Sequence, residues 1–219
     1  ICGDPYFVMY KHLVTLLGDV SVPVDTYPDF KLTAARVEKA ITPKTKMVIM
    51  NSPANPTGVT LDADEMRALA TLAEKHRLLV ISDEIYESLQ YDTQPATMAG
   101  LYDNVVCLNG FSKNMAMTGW RLGYAAGPDE FTQAMNPLQQ YTFVCAPSFA
   151  QKAAVRALNA DMSEKVENYR RKRDLVYNAM KDVFPCVKPD GAFYIYPQAP
   201  GGDGDAFVAN AIANNVLII

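Results

Sequence analysis

Short apolar runs recur along this chain with helix-length segments between them, and that alternation restricts its fold more than any other feature. KMVIM ends at Met50, LLVIS at Ser82 and NVVCLN at Asn109. Each is short, rich in Val, Ile and Leu, and bounded by turn residues, so each reads as a strand. The intervening segments carry apolar residues at three- and four-residue spacing. LTAARVEKAI (32–41) reads as an amphipathic helix. The next helix has Asp62 as its N-cap, Glu65 completing a capping box, and Leu61 with Met66 as a hydrophobic staple. Strands joined by helices predict an α/β protein with a mostly parallel, three-layer sheet. The continuous apolar runs fit strands covered on both faces.

The remaining elements follow from the same signals. The opening residues read as a loop entering a helix, PYFVMYKHLVTLLG (5–18), stopped by Gly18 and followed by a short strand, VSVPVD (20–25). NSPANPTG (51–58) is a turn. RLGYAAG (121–127) reads as a strand, yet no crossover helix fits between Asn109 and Arg121. A parallel return needs about a dozen residues or more, so this strand is expected to run antiparallel, bringing Arg121 to the same end of the sheet as Lys113. Helices are expected from Pro128 and over 148–159. Asp161 and Glu164 read as a second capping box opening the long charged helix SEKVENYRRKRDLVYNAMKD. That helix bridges into a smaller α+β region containing a strand GAFYIYP, a helix GDAFVANAIANN and a strand VLII. The expected division is a large domain over 1–160 and a small one over 161–219.

Composition excludes several function classes. With 219 residues, 49% hydrophobic, 20% charged and a net charge of −4, the chain resembles ordinary globular domains. It has no basic run or stripe of the kind that binds nucleic acid. No apolar run approaches the roughly 18–20 residues that span a bilayer. Cys2, Cys107, Cys145 and Cys186 are far apart, and only two histidines are present, which argues against a zinc site or a disulfide framework. His76 falls at the end of an expected helix, where a cation is favourable. Reduced thiols and the absence of a cleavable leader pattern at the start point to the cytoplasm. Both ends read as cut from a longer protein, so part of the functional site is expected outside this chain.

In open α/β sheets, ligands bind beyond the carboxyl ends of the strands. The segments just past three expected strands are NSPANPTG, SDEIY and NGFSK, which offer Asn55, Asp83, Tyr86, Ser112 and Lys113 to one rim. Lysine alone among side chains forms a Schiff base with an aldehyde cofactor, and arginine is suited to a phosphate. Asp83 follows an apolar strand, where a carboxylate is costly without a partner. Each residue also has a plainer reading. Asp83 suits a helix N-cap, Asn55 a turn, Tyr86 a half-buried packing site, Arg121 an ion pair and Phe7 the core.

NSPANPTG, SDEIY and SKNMAMTGWRLG, in this order and spacing, closely resemble the class I/II aminotransferases, pyridoxal-phosphate enzymes of fold type I. The resemblance extends to DPYFVMY and PDGAFYIYP and so covers nearly the whole chain, and AMTGWR is most like the aspartate and aromatic branch. It implies that Lys113 carries the cofactor as a Schiff base and then moves the substrate's proton. Asp83 would face the pyridine nitrogen, and Asn55 and Tyr86 would donate to the ring's 3′-oxygen. Arg121 and Ser112 would hold the phosphate, and Phe7 would stack on the ring. Catalytic roles fall to Lys113, Asp83 and Tyr86. The resemblance also implies a homodimer with shared sites, acting on an amino acid and a 2-oxo acid. Two departures stand out: the family's carboxylate-clamping arginine and its glycine-rich phosphate turn are expected beyond the two ends. Gly110 also stands where some relatives have a phosphate-binding serine. A β-lyase with the same cofactor and an aminotransferase-like effector domain of a transcription regulator are the alternative readings.

Overall fold

The structure is a computed structural model and describes residues 1–218. Its strands are β1 (Cys2–Asp4), β2 (Pro23–Asp25), β3 (Met47–Asn51), β4 (Leu79–Asp83), β5 (Val105–Gly110) and β6 (Gly123–Ala126). They form one sheet in the order β2-β1-β3-β4-β5-β6, parallel throughout except for β6. The antiparallel pairing of β6 with β5 agrees with the short 109–121 connection. Gly110 pairs with Gly123 there, so Lys113 and Arg121 leave the sheet at the same end.

Side chains alternate across β3 and β4. Val48 and Met50, with Val80 and Ser82, are buried, whereas Met47, Ile49 and Asn51, with Leu79, Ile81 and Asp83, are half-buried. The buried face packs on α2 (Ala34–Ala40) and α3 (Ala63–His76) through Val37, Met66, Leu69 and Ala70. The other face is therefore less fully covered than the apolar runs imply, and its carboxyl end is where Asn51 and Asp83 sit side by side. The Asp62 capping box of α3 is formed, with Asp62 accepting from Asp64 and Glu65 N–H and Glu65 accepting from Asp62 N–H. Leu61 and Met66 join the same core.

The other helices are α1 (Met9–Leu16), α4 (Asp129–Thr142), α5 (Ser148–Ala157), α6 (Ser163–Met180) and α7 (Gly204–Ala213). Five expectations need correction. The opening residues are not a loop: β1 lies inside the sheet, held by Cys2 N–H to Val22 O and by Ile49 N–H to Ile1 O. VSVPVD contributes only Pro23–Asp25, an edge strand as long as β1 allows. The Asp161/Glu164 capping box is absent, because α6 starts at Ser163 and Asp161 accepts from Ser163 rather than from Glu164 N–H. GAFYIYP is no strand. Its first amides bond instead to Gly58 O and Leu89 O, leaving two isolated bridges, Gln90 with Gly191 and Cys186 with Pro197. Residues 216–218 of VLII are likewise non-strand, and Ile219 lies outside the described residues. No helix is long and apolar enough to cross a membrane among the described residues.

Candidate active site

The site grows from the carboxyl ends of β3, β4 and β5. Period-two alternation sends Asp83 and Glu84 to opposite faces of the sheet. Glu84 turns to the buried side, where its carboxyl group accepts from Ser82 Oγ at 2.7 Å, Thr97 Oγ1 at 2.8 Å and Met98 N–H at 3.0 Å. Asp83 turns to the open face. Tyr10, from α1, donates its hydroxyl to Asp83 Oδ2 at 2.6 Å, and Ile85 N–H reaches Oδ1 at 3.3 Å. Burial pushes the Asp83 carboxyl above the usual range, while those two donors pull the other way. No basic side chain forms an ion pair with Asp83 among the described residues. A desolvated carboxylate so placed is suited to a cationic ligand.

Asn51, beside Asp83, shapes the neighbouring turn. Its amide donates to Asp83 O at 2.8 Å, and its carbonyl accepts from Asn55 N–H at 2.7 Å. This directs Asn55 toward Tyr86, whose hydroxyl the Asn55 amide meets. Tyr86 is 3% exposed, and burial raises its phenol's pKa. Its hydroxyl lies 2.7 Å from that of Tyr194. Lys113 Nζ stands 6.0 Å from the Tyr86 ring centroid and 5.6 Å from that of Phe193, within reach of both π faces.

Lys113, Ser112 and Arg121 share the loop from Phe111 to Leu122, which folds back on Phe111 O through Met115 and Met117 N–H. Thr118 joins the two expected phosphate ligands: its hydroxyl donates to Ser112 O at 3.0 Å, and its own carbonyl accepts from Arg121 Nη1 at 3.0 Å. Arg121 is exposed. Gly110 reflects close approach, because a Cβ there would lie 3.0 Å from Gly123 Cα. Phe7 is 37% exposed and meets Tyr10 edge-on at 5.6 Å.

Asn55, Asp83, Tyr86 and Lys113 thus converge. Ser112 and Arg121 flank Lys113, and Phe7 reaches the cluster through Tyr10. Sequence reasoning missed Tyr10, Thr118, Phe193 and Tyr194. Tyr10 follows Phe7 by three residues, one turn on, which was the signal available for it.

The family model for aminotransferase class I and II matches residues 1–219. The chain belongs to the class I and II aminotransferases. It is 38% identical to a probable aspartate aminotransferase of Methanocaldococcus jannaschii, an alignment covering 99% of this chain and 60% of that protein. It is 40% identical to aromatic-amino-acid aminotransferase 2 of Thermococcus litoralis, over 89% of this chain and 53% of that one. The crystal structure of an aromatic aminotransferase from Pyrococcus horikoshii superposes with a TM-score of 0.94 at 36% identity, covering all of this chain and 62% of that one. The chain therefore spans somewhat more than half the length of these aminotransferases. Members of the family use pyridoxal phosphate. The groups present suit it: a half-buried carboxylate with no cation paired to it among the described residues, an amine facing two rings, a buried phenol, and an exposed guanidinium near a hydroxyl.

Proposed function

We propose that the whole protein to which this chain belongs transfers an amino group between an L-amino acid and a 2-oxo acid, in two half-reactions, with pyridoxal phosphate bound at this rim. The observation that carries the reading is Asp83, half-buried and bonded to Tyr10, beside Tyr86, which the Asn55 amide and Lys113 also approach. When bound, the cofactor supplies an aldehyde carbon and a ring that accepts electrons.

Asp83 holds a proton on the ring nitrogen by offering a fixed negative charge there. Tyr10 fixes which carboxylate oxygen is left free for that contact. Lys113 Nζ would hold the cofactor through its aldehyde carbon and, as a free amine, would take the proton from the substrate's α-carbon and hold it for return. Tyr86 and Asn55 donate to the ring oxygen. Ser112 and Arg121 bind the phosphate, a neutral donor beside a charge-assisted one. Phe7 covers the ring and excludes water. On this reading residues 1–160 form the cofactor domain, and 161–219 belong to the smaller one. The protein acts in the cytoplasm as a homodimer.

Borohydride reduction of the whole protein followed by peptide mapping tests the attachment. The expected label is on Lys113 and is lost in Lys113→Ala; a label on Lys11 or Lys152 overturns the assignment. Amino transfer from an amino acid to a 2-oxo acid tests the reaction. Prompt release of pyruvate and ammonia from cystathionine without an oxo acid would identify a lyase instead.

A further inference from the structure

Tyr194 brings a second phenol to the rim. Its hydroxyl lies 2.7 Å from that of Tyr86, and the rings meet edge-on with centroids 5.7 Å apart. Tyr86 is buried and Tyr194 half-buried, so water competes poorly for the pair. The segment carrying Tyr194 is held from several sides. Gly58 O accepts from Asp190 and Gly191 N–H at 3.0 and 2.8 Å, and Leu89 O accepts from Ala192 N–H at 2.8 Å. The buried Arg173 of α6 donates to Pro189 O at 2.7 Å while pairing with Asp92 at 2.8 Å. Three separate parts of the chain therefore hold the backbone that leads into Tyr194.

A phenol has one proton to donate and two sites that accept. The Asn55 amide already meets the Tyr86 oxygen. Either hydroxyl could donate across this contact, but Tyr194 is the one acceptor partnered with the Tyr86 hydroxyl among the described residues, so Tyr86 is taken to give it the proton. When Tyr86 donates to a cofactor oxygen, that bond must turn round, and Tyr194 can then donate to Tyr86. Both changes are rotations about C–O bonds, so every proton stays on its own oxygen. A hydroxyl that accepts a hydrogen bond becomes a better donor, an effect favoured by the low local dielectric.

We infer that Tyr194 is a positioning residue whose hydroxyl switches from accepting to donating when Tyr86 engages the ring oxygen of pyridoxal phosphate, strengthening that contact. This rests on the cofactor reading of the site. Without the Tyr194 hydroxyl, the anionic ring oxygen is less well stabilised, and the protonated form of the Lys113-bound cofactor is favoured.

The test is the pH midpoint of the cofactor's visible absorbance in the whole protein, recorded without amino acid. Four proteins are compared: unsubstituted, Tyr194→Phe, Tyr86→Phe, and the double variant. Phenylalanine keeps each ring and its packing. Tyr194→Phe is expected to move the midpoint upward by roughly 0.3–1 pH unit, the effect of one neutral hydrogen bond. In the Tyr86→Phe background, the same substitution should add nothing, because Tyr194 acts through the Tyr86 hydroxyl. An unmoved midpoint in Tyr194→Phe overturns the inference, as does an equal shift in both backgrounds, which marks a packing role. If the unsubstituted protein has no Lys113-borne absorbance, the cofactor reading itself fails and this inference with it.

Discussion

Replacing Gly58 with alanine tests whether the Asn51–Gly58 turn holds the Pro189–Tyr194 segment over the site. Gly58 has a φ of +71°, and a Cβ there would lie 2.5 Å from Pro189 Cβ and 2.8 Å from Gly191 O. One is part of a proline ring and the other is main chain, so neither can swing aside. Relief requires the segment to move about 0.9 Å, the gap between 2.5 Å and ordinary contact at 3.4 Å. A shift of that size carried to Tyr194 takes its 2.7 Å contact with Tyr86 out of hydrogen-bond range. The left-handed backbone costs an alanine roughly 1–2 kcal/mol, and the overpacking adds roughly 1–3 kcal/mol. Gly100→Ala separates the two contributions: φ is +78°, but nothing lies within 4 Å of a Cβ there. Denaturant unfolding of the whole protein should therefore place Gly58→Ala below Gly100→Ala by roughly 1–3 kcal/mol. Amino transfer should slow only in Gly58→Ala. If the two variants unfold together, or Gly58→Ala transfers at the unaltered rate, the turn does not hold that segment in the way described.

Four further substitutions probe the carboxylates at the end of β4. Burial raises the Asp83 pKa, so its contribution to folding is present at low pH and lost as pH rises through the folded-state value. Urea unfolding of the cofactor-free protein should find Asp83→Asn gaining on the unsubstituted protein from about pH 4 upward. A pH-independent difference refutes this. Tyr10→Phe removes a donor that opposes the shift and should move that window to higher pH. Glu84→Ala strands two buried donors, Ser82 Oγ and Met98 N–H, at roughly 1–3 kcal/mol each. Glu84→Gln keeps an acceptor for both, and the Thr97 hydroxyl can turn to accept from the new amide. Thermal unfolding should rank Gln well above Ala, and equal losses would rule out the hydrogen-bond account.

Much of this molecule is local in origin and could be read from the sequence. The Asp62–Glu65 box lies within one helical turn, and its hydrogen bonds form as the spacing predicts. The antiparallel β6 followed from a connection too short for a crossover. Asp83, Tyr86, Asn55 and Lys113 were legible because each lies within a few residues of a strand's carboxyl end, and parallel strands bring those ends to one rim. The Asp161–Glu164 pattern misled because the helix began one residue later than the pattern required, at Ser163.

Other features depend on partners that no local pattern names. β1 is three residues, Cys2, Gly3 and Asp4, followed at once by Pro5, and it is a strand only because β2 and β3 supply its hydrogen bonds. GAFYIYP has the alternation of a strand, but Gly58 and Leu89 take its amides, so it becomes the support for Tyr194. The Tyr10–Asp83 contact joins residues 73 positions apart, and the Tyr86–Tyr194 contact spans 108. The sequence by itself determined which residues stand at the ends of the strands, because backbone periodicity and turn chemistry act over a few residues. Which donor meets each acid and phenol there was decided only by the tertiary structure, because a side-chain hydrogen bond needs two atoms about 3 Å apart, and chain spacing does not set that distance.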